Sequence, residues 1–273
     1  MKEMTEQEIR ENLLRLLILF KKFCKRNHIT YYLMFGSLLG AVRHKGFIPW
    51  DNDIDLAIPR EDYNRMITML KDDDANPDFR FLCFENDPNF KWQHGRISDK
   101  RTYMKTAAGY SRLGLSLDLF PLDNQGNQKK DVVKRANAIK DCIIMRIMCY
   151  DFKYKALHLP NGMLPNEQIR LLKMFLNEGK QDESYWVKKA IQLATQNSKM
   201  KNCKYYGNFS NDFYPMPNKR EWYSNTVSLP FEGIDCPAPV GYDEILKAYY
   251  GNYMILPPEH ERNKINTTHI FFV

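Results

Sequence analysis

No stretch of this chain is both long and free of charge. The strongest apolar run near the start, Leu13–Phe20, is interrupted by Arg15 and falls far short of the roughly 20 residues a membrane span needs. No leader segment is evident, so the expectation is a cytoplasmic protein, soluble or peripheral at the inner face of the membrane. The six cysteines (Cys24, Cys83, Cys142, Cys149, Cys203 and Cys236) include no CxxC pair, which argues against a zinc knuckle and points to reduced thiols. There is no run of five or more basic residues, although the net charge is +7. Scattered positive charge favours anionic partners such as nucleotides, acidic lipids or anionic polymers, and makes a nucleic-acid arm an unfavoured reading. Internal repeats and low-complexity tracts are also absent.

What is present reads as helix and strand in alternation. Thr5-Glu6-Gln7-Glu8 fits a capping box, and Ile9, Leu13, Leu16, Leu17, Phe20 and Phe23 predict an amphipathic helix over 6–26. Ile29–Phe35 predicts a buried strand. Ser37 then reads as the N-cap of a short helix, 38–44, stopped by Gly46. An acidic strand is expected at 53–58, and a helix beginning after Pro59. Further strands are expected at 79–84, 93–97, 102–106 and 115–120, the last ended by Pro121. From residue 124 the character changes. A long helix is marked by Val132, Ala136, Ile139, Ile143 and Ile147, an irregular stretch by 151–164, and mainly helical chain by 166–196. A hairpin about Glu232-Gly233 and a helix at 243–250 close the pattern. The expected class is α+β, a mixed sheet with flanking helices and a helical extension. The expected division is 1–123 as core and 124–273 as a helical and loop-rich part for substrate binding.

The chemistry concentrates in FGSLLGAVRHKGFIPWDNDIDLAIP, residues 35–59. In an extended strand Asp53 and Asp55 share one face, with Ile54 and Leu56 on the other. Carboxylates among apolar neighbours call for compensation, and a divalent cation is the usual one. Hard oxygen ligands suit Mg2+, or Mn2+, better than zinc. Asp51 is a further candidate ligand, and Asn52 is expected to face away. The alternative is an edge strand with a solvated acidic face. Gly36 and Ser37 offer close backbone approach and a helix start to a phosphate, or else a plain strand–helix junction. Asp118, in an apolar strand, is a candidate third carboxylate or proton acceptor, or the partner of an arginine. Arg43, His44, Lys45 and Arg96 are candidate phosphate contacts, although cations also suit a helix C-terminus for structural reasons. His94 reads as structural. Trp50, Trp92 and Tyr103 are candidates for a cage about a quaternary ammonium.

GSLLGAVRHKGFIPWDNDIDLAIPREDY resembles the signature of the LicD family of phosphotransferases, and its Gly-Ser turn and D-x-D strand resemble the polymerase-β type of nucleotidyltransferase fold. LDLFPLD at 117–123 is similar to the family's second block, and VSLPFEGIDCPAPVGYDEILKAYYGNYMILPP to its third. The resemblance implies a transferase related to fukutin that moves phosphocholine from CDP-choline, or ribitol or glycerol phosphate from a CDP-polyol, to a glycan or teichoic-acid-type acceptor. It implies Gly36 and Ser37 in the phosphate turn, Asp53 and Asp55 on the metal, and Asp118 as third carboxylate. The rival readings are a nucleotidylyltransferase releasing pyrophosphate and a non-catalytic glycan-binding protein.

Overall fold

The computed structural model describes residues 1–105, 110–153, 164–178, 181–209, 217–262 and 269–273. Thr106 and most of the expected irregular stretch 151–164 lie outside them. Helix α1 (Glu6–Asn27) has the capping box, with Thr5 accepting from the Glu8 N–H and Glu8 from the Thr5 N–H. Its apolar stripe lies in the main core. Strand β1 is only Tyr32–Leu33, shorter than expected, because the chain turns into helix α2 (Phe35–Arg43) through a left-handed Phe35, φ 46°. Such a conformation costs a bulky residue roughly 1–3 kcal/mol. The Phe35 ring is held between Phe120 and Tyr249, centroids 5.1 and 5.3 Å away.

Strand β2 (Asp55–Pro59) leads into α3 (Arg60–Met69), then β3 (Phe79–Leu82), β4 (Gly95–Asp99), β5 (Thr102–Lys105) and the long β6 (Ser116–Gly126). Helices α4 (Lys129–Lys153), α5 (Pro165–Glu178) and α6 (Glu183–Thr195) follow. The chain ends with β7 (Tyr205–Asn208), β8 (Thr226–Phe231), β9 (Ile234–Pro239), α7 (Tyr242–Tyr250) and β10 (His269–Phe272). The main sheet has the order β1-β2-β6-β4-β3, with β7 also on β6. Only β2 and β6 are parallel among its pairs, so the sheet is mixed and the fold is α+β.

Pro121 does not end its strand. On one flank β6 pairs with β4 as far as Leu119, and with β7 from Leu122 onward. The proline, which cannot donate to a ladder, falls where that flank changes partner, and β2 covers the other flank. The expected division at 123/124 thus lies inside β6. Tyr223, Phe231, Cys236, Ile245 and Leu246, from the last third of the chain, share the main core with α1 and the sheet. Helices α4–α6 build a second core around Trp186. The β8–β9 hairpin turns at Glu232 and Gly233, φ 49° and 74°, the doubly positive geometry that suits a two-residue hairpin. All six cysteines are free. No helix among the described residues is long and apolar enough to cross a membrane.

Candidate active site

The parallel pairing of β2 with β6 sets Asp55 directly beside Asp118, about 4.8 Å apart along the backbone by sheet geometry. Both open into a cleft of about 1040 Å3 that Asp51 and Asp53 also line. The acidic strand starts two residues later than the expected 53–58, and Asp53 and Asp55 both line the cleft. The strand begins only at Asp55, and Asp53 lies before it, exposed at the rim. Asp51 and Asp55 are the two carboxylates beside Gly36. A methyl group on Gly36 would lie 2.9 Å from Asp51 Oδ2 and 3.9 Å from Asp55 Oδ2, so the missing side chain is what lets two carboxylates reach the first turn of α2. Asp51 is positioned by Arg10 of α1, whose guanidinium donates to the Asp51 and Pro49 carbonyls at 3.1 and 2.6 Å. Asn52 does not line the cleft.

Ser37 is not the N-cap. Met34 occupies that place and makes no side-chain cap bond. Ser37 is buried, 3 % exposed, and its Oγ accepts the Asp55 N–H at 2.8 Å. It therefore fixes the backbone that carries Asp55 rather than facing a ligand. Gly36 does line the cleft, at the positive end of α2, where unpaired backbone N–H groups favour an anion.

The opposite wall is cationic and aromatic. Arg96 stands in register with Asp118 across β4 and β6, its Nε 2.7 Å from Oδ1 and its Nη2 3.2 Å from Oδ2. Arg96 and Arg146 both lie over the Trp92 ring, at 5.6 and 5.9 Å. His94 is tilted on Phe120 with its Nε2 3.8 Å from Asp118 Oδ2, and neither ring nitrogen has a hydrogen-bond partner. Burial holds its pKa down to about 4, with Asp118 opposing and Arg96 and Arg146 assisting, so it is neutral near pH 7. His94 lines the cleft.

The third side of the mouth comes from the chain's end. Tyr250 lines the cleft, and its hydroxyl is pushed above the usual range, first by burial and then by Asp55, Tyr249, Asp51 and Asp53. Arg43 also lines the cleft and donates to the Tyr253 carbonyl at 2.8 Å, tying the segment 251–258 to α2. Burial and the nearby Arg262 lower its pKa. Trp50 is at the mouth with Arg262 over its ring at 5.7 Å.

Three candidates are elsewhere. His44 accepts from Arg43 Nε at 2.9 Å and meets Trp50 edge-on outside the cleft lining. Lys45, φ 62°, takes part in a turn whose carbonyl accepts from Glu232. Tyr103 lies on β5 and stacks on Phe271 of β10. Arg146 and Tyr250 were not legible as site residues. The first is one cation on a long helix, and the second one tyrosine of sixteen.

The donor set fits a hard divalent cation in kind, four carboxylates lining one cleft, two of them beside the bare Cα of Gly36. As the side chains stand, no three His, Cys, Asp or Glu among the described residues are gathered closely enough to enclose an ion, and Asp118 is turned to Arg96.

Residues 28–161 match the family model described as LicD/FKTN/FKRP, nucleotidyltransferase domain. Over 96 % of both chains the protein is 28 % identical to the lipopolysaccharide cholinephosphotransferase LicD of Haemophilus influenzae. A segment of 34 residues is 59 % identical to the ribitol 5-phosphate transferase FKRP of human and of mouse, covering 12 % of this chain and 7 % of that protein. With Asp55 set beside Asp118 at the start of α2, a family match over 28–161 and a likeness to a LicD enzyme over 96 % of the chain, residues 28–161 form a nucleotidyltransferase domain of the LicD family.

Proposed function

We propose that the protein transfers a substituted phosphate group, phosphocholine in the leading reading, from a CDP-linked donor to a hydroxyl of a cell-surface glycan or teichoic-acid-type precursor. The observation that carries this is one cleft with carboxylates on one wall and arginines on the other. A diphosphate bound with a divalent cation needs both. Asp51, Asp53 and Asp55 would hold Mg2+ or Mn2+, with Asp118 adjacent. When bound, the ion supplies charge neutralisation for the diphosphate and the departing CMP.

The residues of the chain do the rest. Arg96 and Arg146 orient the donor phosphates, and the N–H groups at the start of α2 add to the positive field. The acceptor oxygen forms a bond to the distal phosphorus, and the bond from that phosphorus to the bridging oxygen breaks. CMP leaves with the electron pair. Asp118, aimed by Arg96, takes the proton of the attacking hydroxyl.

Transfer of a polyol phosphate is favoured by one observation. Trp92 already carries two guanidiniums and Trp50 one, which disfavours a further cation on those rings. The exposed Ile255 and Leu256 at the cleft mouth and the exposed Met254 preceding them, together with the net charge of +7, support contact with an anionic membrane where a lipid-linked acceptor waits.

The test is a thermal-shift series with CDP-choline, CDP-ribitol and CDP-glycerol, each with Mg2+ and with EDTA, followed by product analysis. Stabilisation by one donor only with Mg2+, and CMP as product, is the expected result. Pyrophosphate as product would make the protein a nucleotidylyltransferase. No shift with any donor would leave a glycan-binding protein.

A further inference from the structure

A second cavity, about 520 Å3, opens at the far end of β6 and lies against the first half of α4. Eight residues of strand separate its Gly126 from Asp118, about 26 Å at strand rise. Five side-chain amides line it, Gln128 and Asn197 among them, with Asp131, Lys134 and Arg135. Amides offer donors and acceptors together, the pairing that hydroxyl groups need.

Arg135 is the unusual member. It is 8 % exposed. Its Nη2 donates to the Gln125 carbonyl, its guanidinium lies 5.1 Å from the Phe209 ring centroid, and its Nη1 has no hydrogen-bond partner. Among the described residues no carboxylate pairs with it. Asp123 is nearby, but both its oxygens are held by Arg60, at 2.8 and 2.9 Å. Gln125 is 1 % exposed and its Oε1 is likewise unpartnered. Asp123 and Asp131 act on it from a distance, but a buried guanidinium with no directly paired anion is costly, and burial lowers its pKa. The exposed Lys134 adds a second cation at the mouth.

We propose that this cavity is a second binding site, for a phosphorylated sugar or polyol, with Arg135 and Lys134 taking the anionic group and the amides taking the hydroxyls. The ligand is a free phosphosugar or one repeat of an anionic polymer, and the site is independent of the chemistry in the main cleft.

The test is calorimetry with inorganic phosphate, glycerol phosphate, a short glycerol-phosphate oligomer and neutral glycerol. It is run on the wild type, Lys134→Glu, Ala138→Trp and the cleft variant Arg146→Gln. Binding of the phosphates but not of glycerol is expected. It should weaken at least about tenfold in Lys134→Glu and Ala138→Trp and hold in Arg146→Gln. An oligomer that binds more tightly than the monomer identifies the polymer as the source, and equal affinity identifies the free phosphosugar. Lys134 is exposed, so its variant folds even where the larger Ala138→Trp change does not. The proposal is overturned by no binding at about 10 mM, by binding that neither cavity variant alters, or by a loss confined to Arg146→Gln.

Discussion

The acidic wall of the cleft comes from twenty consecutive residues, Gly36–Asp55, whereas the basic wall joins Trp92 and His94, which precede β4, and Arg96 on β4 to Arg146, fifty residues later on α4. The acidic wall is held by backbone devices. Ser37 grips the Asp55 N–H, Arg10 grips the 49–51 carbonyls, and the bare Cα of Gly36 makes room. The basic wall is held by packing, with two guanidiniums over one indole and an imidazole over a phenyl ring. The first should tolerate almost no change of geometry. The second should yield by degrees, because cations act at a distance and stacked rings can shift.

The largest effect should come from Asp55→Asn, which removes one charge from the acidic wall and keeps its shape. Turnover should fall on the order of 10^3-fold, with the melting temperature unchanged or raised by relief of repulsion from Asp118. Full activity with Mg2+ would break the assignment of this wall to the donor diphosphate.

His94 comes next. Its folded pKa of about 4 lies below the usual 6.5. The unfolded chain therefore binds the proton more readily between these values, and stability falls as pH drops from about 6.5 to about 4. The loss should approach ~3 kcal/mol. Urea unfolding of wild type and His94→Asn, in EDTA, should show the slope in that window flattened in the variant. Equal slopes would mean the imidazole is hydrated.

Gly36→Ala places a methyl 2.9 Å from Asp51 Oδ2. A fall of about 100-fold in kcat/KM, close to 2.7 kcal/mol, is expected at nearly wild-type stability. A tenfold or smaller loss would show that the acidic wall can yield as the basic one does. The smallest change is Arg146→Gln, which should raise the donor KM about tenfold, or ~1.4 kcal/mol, with kcat nearly preserved. A collapse of kcat there would place Arg146 on the reacting phosphate and erase the difference between the walls.

Much of the fold was legible because its signals are local. The Thr5–Glu8 capping box, the period of α1, the Glu232-Gly233 turn and the helix at 243–250 each depend on a few neighbouring residues. The errors have a common cause. The residue type of Ser37 suggests a cap, but Asp55, eighteen residues on, competes for its hydroxyl. The missing N–H of Pro121 suggests a strand end, but β4 and β7 exchange places beside it. The sequence position of Tyr103 suggests the site, but β10 pairs with its strand instead.

The sequence by itself determined the acids, the glycine and the family signature around them, because residues 35–59 are contiguous and their spacing carries the chemistry. Only the tertiary structure decided which carboxylates meet. Asp55 faces Asp118 through the β2–β6 register, Asp51 and Asp55 both reach Gly36, and Arg146 and Tyr250 arrive from α4 and α7. Strand spacing tells which residues of one strand share a face. The register between strands, and the helices that cover them, follow from burying the whole apolar surface at once.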